Sequence, residues 1–133
     1  MKVTHDEQNL YFLIECENDI TGEGANWMNL FLGVGEVRAE GWEGYQYVVN
    51  REKGKLAKLN SAGGATAFAD VTLKQAGRQL AMAIPLSALG TAADEQGVYF
   101  KVSDGVQDLT DIMDTYLHGR SVPMGRLSYY YYF

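Results

Sequence analysis

The sequence predicts an all-β fold, an antiparallel β-sandwich with jelly-roll-like connectivity. Short segments rich in aromatic and β-branched residues follow one another at roughly 8–15-residue spacing. Glycine-centred turns separate them. Between them no long stretch has the apolar period of a helix, which favours an antiparallel sandwich over βαβ units. The 133 residues fit one domain, and 47% hydrophobic against 21% charged residues is an ordinary globular balance.

Asn9 to Cys16 is aromatic and β-branched after a polar turn and reads as the first strand. Asn18 to Asn26, with Gly22 and Gly24, reads as a loop. Trp27 to Leu32 sets Met28, Leu30 and Leu32 against Trp27, Asn29 and Phe31, a strand covered on both faces. Gly33 and Gly35 are expected to break it, and Glu36 to Glu40 to form a charged loop. Gly44 to Asn50 alternates again, with Tyr45, Tyr47 and Val49 on one face.

Arg51 to Lys55 turns the chain into a short strand around Leu56 to Leu59. Gln75-Ala76-Gly77-Arg78 is a hairpin signal between Ala67–Lys74 and Gln79–Ile84. Pro85 ends the second arm, and Leu86 to Leu89 reads as one helical turn closed by Gly90. Gly97 to Ser103 and Arg126 to Phe133 are strands. The acidic segment Asp104 to Met124 between them has room for one short helix.

A net charge of −6 and a pI near 4.8 argue against nucleic acid or an anionic membrane as partner. The single cysteine, Cys16, alternates with Leu10, Phe12 and Ile14 and reads as a small buried hydrophobe. The opening residues run directly into polar His5-Asp6-Glu7-Gln8, without a signal-peptide pattern. The longest apolar run, Leu10 to Ile14, is too short for a membrane span.

Five strings, in order, carry a family resemblance. They are Asn9–Phe12, Trp27–Leu32, Gly41–Arg51, Ile84–Gly90, and His118-Gly119 with Pro123 and Gly125-Arg126-Leu127. Together they resemble the β-sandwich domains similar to family 9 carbohydrate-binding modules, within the DOMON-like superfamily. The resemblance implies a non-catalytic carbohydrate-binding or accessory module of a larger secreted bacterial protein, extracellular or at the cell surface, beside glycoside-processing enzymes. Its partner would be an oligo- or polysaccharide. Two departures stand out: Gly33 and Gly35 replace an acidic turn, and no strand is expected before Asn9. The domain, 1–133, is therefore read as a fragment lacking its first strand, with an open sheet edge that calls for a second copy or a neighbouring domain.

A pyranose stacks its C–H face on an aromatic ring while nearby polar groups hold its hydroxyls. Trp42, flanked by Gly41 and Gly44, is the expected platform, with Tyr45, Tyr47 and Trp27 as further rings and Asn50, Arg51 and Glu43 as polar partners. The same rings also suit a sandwich core, and Arg51 suits a strand-end tie. Asp104, Asp108 and Asp111, with Asp114, form the densest acidic cluster, a candidate for calcium by residue type but without EF-hand spacing. Some DOMON-like domains hold haem through methionine and histidine or lysine. Met28, Lys101 and His118 match by type, and each also reads as a plain structural residue. No nucleophile motif, marked carboxylate pair or phosphate loop occurs, so no catalysis is expected. A structural or interaction sandwich without a small ligand is the alternative function.

Overall fold

The computed structural model describes residues 1–20, 24–35, 41–90, 97–123 and 127–133. Its strands are β1 (Lys2–His5), β2 (Asn9–Glu15), β3 (Asn29–Val34), β4 (Tyr47–Val49), β5 (Lys55–Leu59) and β6 (Ala65–Asp70), followed by β7 (Thr72–Ala76), β8 (Gln79–Pro85), β9 (Gly97–Asp104), β10 (Arg120–Val122) and β11 (Tyr129–Tyr132). A 3-10 turn, Leu86–Leu89, follows β8, and helix α1 (Asp114–Leu117) precedes β10.

The strands form two antiparallel sheets, an all-β sandwich. The smaller runs β1-β2-β8-β7; the larger runs β9-β3-β4-β5-β6, with β10 and β11 both beside β9. β10 takes the Val102–Asp104 half of β9 and β11 the Gly97–Phe100 half, so the two make one interrupted outer strand. The chain changes sheets between β2 and β3, between β6 and β7, and between β8 and β9.

Strand alternation builds the core between the sheets. Leu10, Phe12 and Ile14 from β2 and Leu80, Met82 and Ile84 from β8 face Leu30 and Leu32 of β3 and Val98, Phe100 and Val102 of β9. Each such side chain contributes about 1.5–3 kcal/mol by leaving water. The β7–β8 hairpin closes on a two-residue turn, Gly77-Arg78, in which Gly77 takes a φ of 58°.

Several expectations are corrected. A strand does precede Asn9: β1 pairs with β2 from Lys2↔Leu13 to His5↔Leu10. Its four residues carry too little apolar pattern to be read beside the polar turn. Gly33 does not break its strand but sits inside β3 opposite Tyr99, where a Cβ would overlap the Tyr99 ring. The glycine is there to let a ring cross the strand. Trp27 and Met28 lie before β3, not in it. Ala67 to Lys74 is not one strand, because Val71 drops its side chain into the core and its N–H donates to the Gly54 carbonyl at 2.8 Å. The chain thus turns a corner from β6 in one sheet to β7 in the other. β10 lies within the segment expected to be irregular. The loop Glu36–Glu40, Gly22 and the positions Gly125 and Arg126 lie outside the described residues. Among the described residues no helix is long and apolar enough to cross a membrane.

Candidate functional site

The residues expected to form a sugar platform meet, in part, on the outer face of the larger sheet, away from the smaller sheet. The same alternation that sends Leu30, Leu32, Val98 and Phe100 inward sends Asn29, Phe31, Tyr99 and Lys101 outward. Phe31, Val48, Ala57, Leu59 and Tyr99 form a second apolar cluster there, covered by Trp42, Tyr45 and Ile112.

Trp42 and Tyr45 reach this face through a tight hairpin. Their backbones exchange hydrogen bonds at 3.0 and 2.9 Å around Glu43-Gly44, whose φ angles of 52° and 85° are both positive. Two positive φ values define a turn that matches strand twist, and glycine is the easy residue in it. The Tyr45 hydroxyl lies 2.6 Å from Ser128 Oγ, and the Tyr99 hydroxyl donates to the Gly44 carbonyl at 2.6 Å. Phe31 lies 5.4 Å from the Trp42 ring and 5.5 Å from the Tyr45 ring, centre to centre. Burial pushes the Tyr45 hydroxyl above the usual phenol range.

Arg51 fastens the cover to the sheet. Its guanidinium lies over Phe31 at 5.6 Å. Nε donates to Asn29 Oδ1 at 3.1 Å, Nη1 to the Gly63 carbonyl at 3.2 Å and Nη2 to the Leu109 carbonyl at 3.2 Å. Three elements distant in sequence are tied by one side chain, the use for which a planar fork is suited. Asn50, fully buried with φ 71°, donates to the Met28 carbonyl at 3.0 Å and accepts from the Gly54 N–H at 3.0 Å.

The structure therefore divides the six expected sugar residues. Trp42, Tyr45 and Arg51 come together on the outer face, but Trp42 is only 7% exposed and Tyr45 is buried. Trp27, 4% exposed, and half-buried Tyr47 belong to the core between the sheets. The Tyr47 hydroxyl donates to the Leu89 carbonyl at 3.3 Å, and Lys53 Nζ stands 5.1 Å over the Trp27 ring. Tyr45 and Tyr47 face opposite sides because β4 begins only at Tyr47, after the hairpin. A buried ring has no free face for a pyranose, so the platform drawn from Trp42 and Trp27 is not present on this surface.

The acidic residues are spread over separate tasks. Asp104 accepts the Met28 N–H at 2.9 Å, Asp108 accepts the N–H and hydroxyl of Thr110 at 3.0 and 2.7 Å, and Asp111 accepts the Met113 N–H at 2.9 Å. Asp114 is buried: Oδ2 accepts from the Gln107 and Asp108 N–H groups at 2.6 and 2.9 Å, and Oδ1 pairs with His118 Nδ1 at 2.6 Å. The Asp108 N–H first, then His118, hold the Asp114 carboxyl below the usual range. Among the described residues no three His, Cys, Asp or Glu side chains converge as a metal-holding group. Met28 sits in the core between the sheets, Lys101 on the opposite face of the larger sheet, and His118 beyond α1 on Asp114. They do not come together as an axial pair.

Lys101 was not singled out by sequence for its environment. It is 1% exposed, and its Nζ has no hydrogen-bond partner among the described residues. Desolvation pushes its ammonium below the usual lysine range. The alternation Val98-Tyr99-Phe100-Lys101-Val102-Ser103 is the signal that both faces of β9 are covered. No family model, curated protein or solved structure matches this chain.

Proposed function

We propose that this domain is a non-catalytic interaction module that engages a second copy or a neighbouring domain along the β10–β11 edge. One observation carries the reading: an edge strand in two short pieces bears a row of exposed apolar side chains. Val122, Leu127, Tyr129, Tyr132 and Phe133 are all exposed, Leu127 at 69% and Tyr132 at 70%. No described strand lies beyond them. Such an edge, with Arg120 and Pro123 confined to its β10 end and no charged side chain among the described residues of the β11 end, favours strand pairing and apolar contact there. The Trp42–Arg51 assembly then serves to stiffen the sheet that presents this edge.

Sedimentation of the full chain over a range of concentrations tests the proposal. The expected result is concentration-dependent association, weakened at least tenfold by Leu127→Lys with Tyr132→Lys. Strict monomer behaviour at the highest concentration, with no neighbouring domain bound, overturns it.

Carbohydrate binding, as the family resemblance implies, has one supporting observation on this surface. Tyr132 stands 4.5 Å, centre to centre, from the half-buried Tyr130 ring and exposes most of its own. On that reading a glycan array, run with and without calcium, gives a signal that Tyr132→Ala removes. An empty array leaves the interaction module as the reading.

A further inference from the structure

The seam between the two sheets is closed at one end and open at the other. At the closed end, His5 of β1 hydrogen bonds with the Tyr131 hydroxyl at 2.8 Å and packs on the Phe133 ring at 5.1 Å. At the other end, where β1 begins and β10 runs beside β9, the sheets part around a cavity of about 390 Å³. That volume lies in the range of small-molecule pockets, about 300–1,000 Å³.

The buried part of its lining is aliphatic and thioether, formed by Ile14, Ile20, Met28 and Val102, and exposed Val122 lines it as well. Its rim is charged: Glu17, Asp19 and Asp104 line it against Arg120, while Glu15, also in the lining, is paired with Arg78 at 3.8 Å. Asp104 stands at the inner end of this rim, tied by Oδ1 to the Met28 N–H at 2.9 Å. Its charge reaches the half-buried Cys16 thiol, which burial first and Asp104 second push above the usual thiol range. An apolar chamber with an acidic mouth fits one kind of occupant. The apolar part of the ligand leaves water, and a cationic end stays at the rim, where carboxylates outnumber cations.

We propose that this cavity binds a small amphipathic organic cation, an aliphatic body ending in an ammonium group, at a site that shares Val122 with the β10–β11 edge. It rests on the cavity alone and not on the interaction reading.

Cys16 is the single cysteine and lines the cavity, so its labelling reports one place. The full chain is reacted with a chromogenic disulfide reagent at alkaline pH in the presence of octylammonium, octanol or octanoate. Octylammonium is expected to slow labelling saturably by at least fivefold, octanol less, and octanoate least. Asp104→Asn keeps an acceptor for the Met28 N–H but removes the charge. It is expected to reduce the preference for octylammonium over octanol by about tenfold. Val122→Trp, at an exposed lining position, is expected to block the cavity and remove the protection while circular dichroism shows the fold intact. Isothermal titration of octylammonium into the Cys16→Ser variant checks binding without the reporter and is expected to give one site. Absence of saturable protection by octylammonium, equal protection by octanoate, or full protection retained in folded Val122→Trp overturns the proposal. Sedimentation of the same samples keeps it apart from the edge reading, because octylammonium can fail to bind while association persists, or bind while the chain stays monomeric.

Discussion

On its inner face the larger sheet meets aliphatic side chains of the smaller sheet; on its outer face it meets the chain's own loops. The inner contact is chiefly Leu, Ile, Val, Phe and Met82 alternating on paired strands, with Trp27, Met28 and Tyr47 beside them. The outer one is aromatic and partly polar, with Trp42, Tyr45 and Ile112 laid over Phe31 and Tyr99 and with buried Asn29, Ser103 and Lys101 beneath. Packing sheet on sheet needs only matched periods, so the facing stripes of β2, β8, β3 and β9 are apolar. Packing a loop on a sheet brings backbone carbonyls to the surface, and these need donors. Arg51 supplies two of them, to Gly63 and Leu109, and the Tyr99 hydroxyl a third, to Gly44. The outer cover is therefore held by a few specific bonds, and the inner core by area.

That contrast gives the largest expected effect. Phe12→Ala, in the inner core, should lower global stability by about 3–5 kcal/mol. Trp42→Ala should lower it less, because the cover can lift while both sheets stay paired. Native-state hydrogen exchange separates the two. With Trp42→Ala, amides of residues 107–118 should lose protection while those of β2 and β8 keep theirs. A uniform loss of protection across both sheets would make the outer cover part of one cooperative core and end the distinction.

Lys101 gives the next effect, with the opposite sign. A buried ammonium without a partner costs about 1–3 kcal/mol or more, so Lys101→Met should stabilise the domain by about that amount. The pH dependence follows from the direction of the shift. Desolvation lowers the folded-state value below the unfolded one, so the cost is full at pH values below the folded value. It is relieved as pH rises through that value towards the unfolded lysine range. The advantage of Lys101→Met in thermal melting should therefore be largest near neutrality and shrink between there and pH 10.5, the ordinary lysine value. An advantage independent of pH, or none, would mean that Nζ is solvated.

How much of this was legible in the sequence follows the same division. The inner core was readable because Leu10, Phe12 and Ile14, or Val98, Phe100 and Val102, repeat every second residue and need no long-range information. The hairpin at Gly77 and the turn closed by Gly90 were readable from local chemistry. The outer face was not. Whether Trp42 is a platform or a lid depends on where the segment after β9 lies, and nothing near Trp42 encodes that. Gly33 misled for a related reason: its smallness answers to Tyr99, far along the chain, and not to a turn. The outer residue types and the glycines around Trp42 are legible in the sequence, but two partners of Arg51 are backbone carbonyls at Gly63 and Leu109, which carry no residue-type signature.

The smallest effect tests whether the cover and the core respond separately to acid, and the chain carries a reporter in each. Trp27 belongs to the inner core and Trp42 to the cover, so Trp42→Phe and Trp27→Phe leave one indole in each region. Asp114 anchors the segment that brings Ile112 onto the outer face, through the Gln107 and Asp108 N–H groups and His118. Its folded value lies below the usual carboxylate range, so its contribution is present above pH 3.8, the ordinary aspartate value, and is lost as pH falls through the folded value. The inner core has no buried carboxylate among its described residues to lose. On lowering pH, Trp42 emission in the Trp27→Phe protein should change before Trp27 emission in the Trp42→Phe protein. Adding Asp114→Asn should change Trp42 emission already at neutral pH and remove most of its dependence on pH in the acid range, leaving Trp27 emission nearly as before. Coincident acid transitions of the two indoles, unchanged by Asp114→Asn, would show that the cover does not open on its own and that Asp114 is not its anchor.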